Sequence, residues 1–150
     1  MILIAHRGNI NGPNPERENT IDYILEALES DYDVEIDVRY IDGQFFLGHD
    51  HPQERCPEEL LLDQRVWIHA KDIETLYRLE MFLNEYELDY PPNLFFHQSD
   101  DVTITTSGFL WTQPGKHLTP ISIQVMPEYV GEEFSMIVSG ICSDYVGEVN

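Results

Sequence analysis

The sequence predicts an α/β fold with parallel strands, in which any barrel is compact and short of several outer helices. Three observations carry this. Short apolar runs alternate with helical segments in the first two thirds of the chain, the pattern that pairs strands in parallel. Several runs end in polar, titratable residues, as strands do where an α/β sheet presents a ligand rim. Finally, the chain has 150 residues, whereas a complete (β/α)8 barrel takes about 250, so helices must be missing from the second half.

Residues 2–6 read as the first strand. Asn9 to Pro15 is rich in Asn, Gly and Pro and must be a loop. Thr20 is an N-cap, and Ile21, Ile24, Leu25 and Leu28 follow at helical spacing, so a helix runs to about Ser30. Strands over 33–41 and 44–48 are joined by a tight Asp42-Gly43 turn. Pro57 to Leu62 reads as a short helix with Pro57 in its first turn. Val66 to Lys71 is a strand. A helix from Asp72 to about Leu88 puts Ile73, Leu76, Leu79 and Phe82-Leu83 on one face. Pro91-Pro92 ends that unit, and Asn93 to His97 is again a strand. Residues 102–106, 109–112, 121–125 and 136–142 read as short strands. No linker divides the chain, so it is expected to be a single domain over residues 1–150.

Composition narrows the function classes. Hydrophobic residues make up 42% of the chain, enough for a globular core and too many for disorder. The formal net charge of −20 argues against a nucleic acid or an anionic membrane as the main partner. No apolar run reaches the length of a membrane span. The N-terminus lacks the basic and apolar segments of a signal peptide, so a cytoplasmic location is expected. Cys56 and Cys142 stand far apart with no metal-ligand spacing and read as reduced thiols.

The chemistry lies at the strand ends. His6, Glu35, Asp37 and His49 would converge at one rim if their strands are neighbours. Glu35 and Asp37 are two apart on a strand and share a face, where two carboxylates repel unless a cation or proton lies between them. Arginine offers a planar fork for phosphate oxygens, which suits Arg7 beside His6. His6 and His49 have reference pKa values of about 6.5, so one can give and the other take a proton near neutral pH. Lys71 ends a strand, where it would meet a phosphate or pair with Glu35 or Asp37. Asn19, His97 and Trp111 are candidate pocket residues, though a cap, a strand end and a core position explain each equally.

Four motifs occur in order: His6-Arg7-Gly8, Glu18-Asn19-Thr20, Glu35-Ile36-Asp37 and His49-Asp50. With Trp111-Thr112 and Gly140-Ile141-Cys142-Ser143-Asp144-Tyr145, the chain resembles the glycerophosphodiester phosphodiesterase family. The resemblance implies a TIM-like (β/α) barrel and a divalent metal ion (Mg, Ca, Mn or Zn). It implies His6 and His49 as the acid/base pair, Arg7 on the phosphate, and Glu35 and Asp37 on the metal. The family's further carboxylate lies in a Glu-x-Lys strand, but here that strand reads His69-Ala70-Lys71. Either His69 is a third ligand and the metal preference changes, or it serves another purpose and the site is weakened. The implied substrate is a small glycerophosphodiester or a sugar or polyol phosphodiester. A binding module without turnover, and a lyase releasing a cyclic phosphate, are the competing readings.

Overall fold

The computed structural model describes residues 1–149. The chain runs β1 (Ile2–His6), α1 (Ile21–Glu29), β2 (Asp33–Ile41), β3 (Gln44–Leu47), β4 (Glu54–Arg55), α2 (Glu58–Leu62) and β5 (Val66–Ala70). It continues through α3 (Ile73–Leu83), β6 (Asn93–Phe95), β7 (Val102–Ile104), β8 (Leu110–Thr112), β9 (Ser122–Val125) and β10 (Gly140–Ser143). Parallel ladders join β6, β5, β2, β1, β10, β9 and β8 in that order. Antiparallel pairs add β3 to the far end of β2, β4 to β3, and β7 to β8.

This corrects the expected TIM-like (β/α) barrel. The ten strands form one mixed sheet that curls into a half-barrel, with three α-helices among the described residues. All three precede β6. Loop bonds, not a ladder, link its two ends: Thr106 N–H donates to the Leu94 carbonyl at 3.0 Å. Leu94 N–H donates to Thr106 Oγ1 at 2.9 Å. The physical reason for the missing helices lies in the polar residues of the late strands. Gln124 in β9 donates to the Glu133 carbonyl at 3.1 Å and accepts from Ser135 N–H at 2.8 Å. Ser122 accepts from Thr112 and from Thr119 N–H. Irregular chain, held by side-chain bonds, thus covers positions where an apolar face would require a helix.

Two apolar layers follow. Ala5, Val34, Ile36, Val38, Ile68 and Ala70 pack with Ile24, Ala27 and Leu28 of α1, Leu60 and Leu61 of α2 and Leu79 of α3. Ile4, Trp67, Phe95, Trp111, Ile123, Val125, Met126 and Cys142 form the second cluster. In β1, β5 and β6 it takes the residues that alternate with those of the first cluster, as the period of two requires, while β8, β9 and β10 contribute to it alone. Trp67 Nε1 donates to Asp33 Oδ2 at 2.9 Å, which satisfies the indole at the foot of this layer. Cys56 and Cys142 are buried free thiols.

Local signals worked as chemistry demands. Thr20 caps α1 by accepting from Tyr23 N–H, and Asp72 caps α3 by accepting from Thr75 N–H. Asp42 and Gly43 both take positive φ, 50° and 82°, as the tight β2–β3 turn needs. Helix α3 stops at Leu83, five residues short of the expected end. No basic residue lies in its last turn, and Glu85, Glu87 and Asp89 follow where the helix dipole disfavours negative charge. Ile73, expected on the buried face of α3, is 69% exposed. The last strand starts at Gly140, not at 136, because Met136 and Ile137 face solvent. No helix of the described residues is long and apolar enough to cross a membrane.

Candidate active site

Strand register assembles the rim. His6 ends β1 opposite Glu35 in the parallel β1–β2 ladder. Asp37, two residues on, is opposite His69 in the β2–β5 ladder. His49 arrives differently. β3 returns antiparallel along β2, pairing Leu47 with Val38, and Gly48 N–H then donates to the Asp37 carbonyl at 3.0 Å. A tight loop carries His49 onward: a Cβ at Gly48 would lie 2.0 Å from the His51 carbonyl oxygen, so only glycine fits. The Arg39 guanidinium donates to the carbonyls of Gly48 and His49 and fixes this loop. His51 is exposed, as expected of a loop residue.

These groups border a cavity of about 190 Å³. His6, Arg7, Glu35, His49, His69 and His97 line it, joined by Trp111, Gln113 and Tyr129. Two larger cavities of about 700 Å³ each carry none of the histidines. The smaller one is the candidate site because titratable groups from six different segments converge there.

The carboxylates are unequal. Asp37 is fully buried, and Asn19 grips it twice: Asn19 Nδ2 donates to Oδ2 at 2.9 Å, and Asp37 N–H donates to Asn19 Oδ1 at 3.0 Å. Arg7 Nε lies 3.0 Å from Oδ2, and Lys71 Nζ lies 3.0 Å from Oδ1. Burial pushes the Asp37 carboxyl up, but His69, Lys71 and Arg7 outweigh it and hold it well below the ordinary range. Glu35 goes the other way. Burial, then the Asp37 charge, raises its pKa, and Glu35 Oε2 is buried without a hydrogen bond. A buried carboxylate oxygen left this way is costly.

The two central histidines also differ. Burial lowers the pKa of His6, but the Asp144 hydrogen bond and the Glu35 charge overcome this and leave it raised. His6 Nδ1 meets Asp144 Oδ1 at 2.7 Å, while Nε2 faces Glu35 Oε2 at 3.9 Å. The pKa of His49 is lowered, chiefly by burial. His97 is driven down to about 4 by burial and by the charges of His69 and Lys71.

One ligand atom each from Glu35, Asp37 and His69 lies within 4.8 Å of the others, so the group could hold a metal ion. His69 Nδ1 is 3.1 Å from Asp37 Oδ1 and 3.8 Å from Glu35 Oε1. The residues fit a cation: Glu35 Oε2 is buried without a hydrogen bond, and Asp37 Oδ1, beside it, already draws the Lys71 ammonium to 3.0 Å.

Two open alternatives are resolved. Lys71 lies outside the cavity lining, and its ammonium is taken by Asp37 rather than offered to a phosphate. Asn19 does not line the pocket either; it lies 1% exposed, with its own backbone at φ +57°, and positions Asp37. His97 and Trp111 do line it. Sequence reasoning assigned no role to Asp144, Glu18, Gln113 or Tyr129. Asp144 had a usable signal, a carboxylate one residue beyond an apolar strand. Glu18 accepts from Arg7 Nη1 at 3.2 Å and from Asn9 Nδ2 at 2.9 Å, and nothing in its local pattern foretold this.

No protein-family model, curated protein or solved structure matches the chain.

Proposed function

We propose that the protein is a metal-dependent phosphodiesterase that acts on a small glycerophosphodiester or a sugar or polyol phosphodiester. One observation carries this reading: His6 and His49 border the same small cavity as Arg7, Glu35 and His69, and Asp37 lies buried within ligand distance of the last two. Phosphodiester cleavage needs a base for the attacking oxygen and an acid for the leaving oxygen. His49, biased neutral, takes the proton of the attacking hydroxyl, from water or from the substrate itself. As the new P–O bond forms, the bond to the leaving alkoxide breaks. His6, kept protonated by Asp144, gives its Nε2 proton to that oxygen. Arg7 supports negative charge on the non-bridging oxygens from the cavity wall. A divalent ion held by Glu35, Asp37 and His69 would add positive charge there. At about 190 Å³ the cavity suits a small headgroup and not a bulky chain.

The test is hydrolysis of a glycerophosphodiester and of a chromogenic phosphodiester after chelation. Mg²⁺, Ca²⁺, Mn²⁺ or Zn²⁺ is restored singly, with His6→Ala alongside. Activity that returns with metal and is lost in His6→Ala is expected. A folded protein inactive with every metal would overturn the reading.

A phosphate-binding module without turnover has one observation in its favour. Arg7 and Lys71 both pair with Asp37, so two cations already balance Glu35 and Asp37. Phosphate binding by the chelated protein, with no product in phosphorus NMR, would select this alternative. A cyclic phosphate as the final product would select a lyase.

A further inference from the structure

We infer that the Glu35–Asp37–His69 group selects an ion of the Mn²⁺–Zn²⁺ series over Mg²⁺ and Ca²⁺, with His69 Nδ1 as the discriminating ligand. The inference rests on the metal site of the reading above and extends it to the ion's identity.

The donor set is the first argument. Two carboxylate oxygens and one imidazole nitrogen face each other. Mg²⁺ and Ca²⁺ favour all-oxygen shells, and Ca²⁺ takes six to eight oxygens. Imidazole nitrogen favours first-row transition ions.

The second argument is that His69 is held in the ligating pose before any ion arrives. Its ring stacks on His97 at 4.3 Å between centroids, with 16° between planes. It also stacks on Phe95 at 5.2 Å and 9°. All three rings come from neighbouring parallel strands or their immediate extension, since His69 is in register with Phe95 in the β5–β6 ladder. Stacking against planar neighbours restricts rotation of the ring about χ2, and Nδ1 is left pointing at both carboxylates.

The third argument concerns which oxygens remain. Asn19 and Arg7 hold Asp37 Oδ2. Oδ1 is shared only with Lys71 and His69, neither in hydrogen-bond geometry. Glu35 Oε1 lies 3.8 Å from His69 Nδ1. The ion would thus meet one oxygen from each carboxylate beside the nitrogen, and Lys71 Nζ must withdraw from Oδ1 to admit it.

The experiment uses the full chain, chelated and reloaded with Mn²⁺, and reads nitrogen hyperfine coupling by pulsed EPR. Competition titrations of Zn²⁺, Mn²⁺, Mg²⁺ and Ca²⁺ are run on the native protein and on His69→Glu. We expect a directly bound imidazole nitrogen in the native protein and its loss in His69→Glu. The ratio of Zn²⁺ to Ca²⁺ affinity should fall by about tenfold or more in that variant. No bound nitrogen, a ratio unchanged by His69→Glu, or no ion bound at all would each overturn the inference. The native EPR measurement stands even if His69→Glu does not fold. Turnover of a phosphodiester is followed in parallel. Nitrogen ligation without turnover sinks the phosphodiesterase reading and leaves this inference; turnover with an oxygen-only ion does the reverse.

Discussion

His6 and Asp144 stand 138 positions apart in the chain, and their side chains meet at 2.7 Å between Nδ1 and Oδ1. Asn9 holds the same Asp144 oxygen at 2.8 Å, so the carboxylate is fixed before it orients the imidazole. Parallel pairing of β1 with β10 creates the contact, since Ala5 is in register with Ser143.

Asp144→Asn removes the charge that holds His6 protonated. Turnover should drop by about 10²-fold, the lower range for loss of acid–base catalysis. The His6 pKa should fall in an NMR titration of its ring protons. Because the His6 pKa is raised in the folded protein, its contribution to stability is complete below about pH 6.5 and is lost as pH rises through the raised value. Asp144→Asn should flatten stability in that window. A titration identical to the native protein's would show that Asp144 does not set the His6 charge.

Asn19 contributes both a hydrogen-bonding side chain and a left-handed backbone. Asn19→Gly keeps the backbone and loses two bonds to Asp37, at a cost of about 1–3 kcal/mol. Asn19→Ala adds about 1–2 kcal/mol of backbone strain at φ +57°. Urea denaturation should therefore rank native above Gly and Gly above Ala. Equal stability of the two variants would remove the backbone argument.

Glu35 and Asp37 pull stability in opposite directions with pH. Asp37 is depressed, so its contribution is present above about pH 3.8 and is lost as pH falls through the depressed value. Glu35 is raised, so its contribution is present below about pH 4.5 and lost as pH rises through the raised value. Glu35→Gln should then stabilise the chelated protein at pH 7. It should also abolish the rise in melting temperature that a bound ion gives the native protein. Melting curves with and without chelator check both halves.

Trp67→Phe keeps a ring in the second cluster but takes the indole donor from Asp33 Oδ2. The loss should be about 1–3 kcal/mol by urea denaturation, with the site's metal affinity unchanged. A variant as stable as the native protein would mean that Asp33 recovers a partner from solvent.

The net charge of −20 makes the folded chain repel itself. Melting temperature should climb between about 0.01 M and about 1 M salt, as the Debye length falls from about 30 Å to about 3 Å. A flat response in an inert salt would show that the acidic surface is already neutralised.

Much of this architecture was legible from local chemistry. Thr20, Asp42-Gly43 and Pro57 mark their boundaries because caps and turns involve neighbours in sequence. Glu35 and Asp37 were legible as a pair because a strand's period of two is rigid. The half-barrel was not, because covering β8 and β9 with loops depends on Gln124 and Ser122 meeting distant backbone. Lys71 was ambiguous for a related reason. Its partner Asp37 is set by the β2–β5 register, which no residue near Lys71 announces. The exposure of Ile73 likewise depends on how α3 is rotated against the sheet, not on its own periodicity.

The placement of β1 between β2 and β10 has a consequence for synthesis. A nascent chain that has emerged only as far as β9 has one bare edge on β1 and no partner for His6. The acid of the proposed reaction is thus completed only once β10 has emerged, 134 or more residues after β1. Pairings over such sequence separation fold slowly, so assembly of the His6–Asp144 pair should lag behind the emergence of β10, and the unpaired β1 edge is the part most in need of shielding meanwhile.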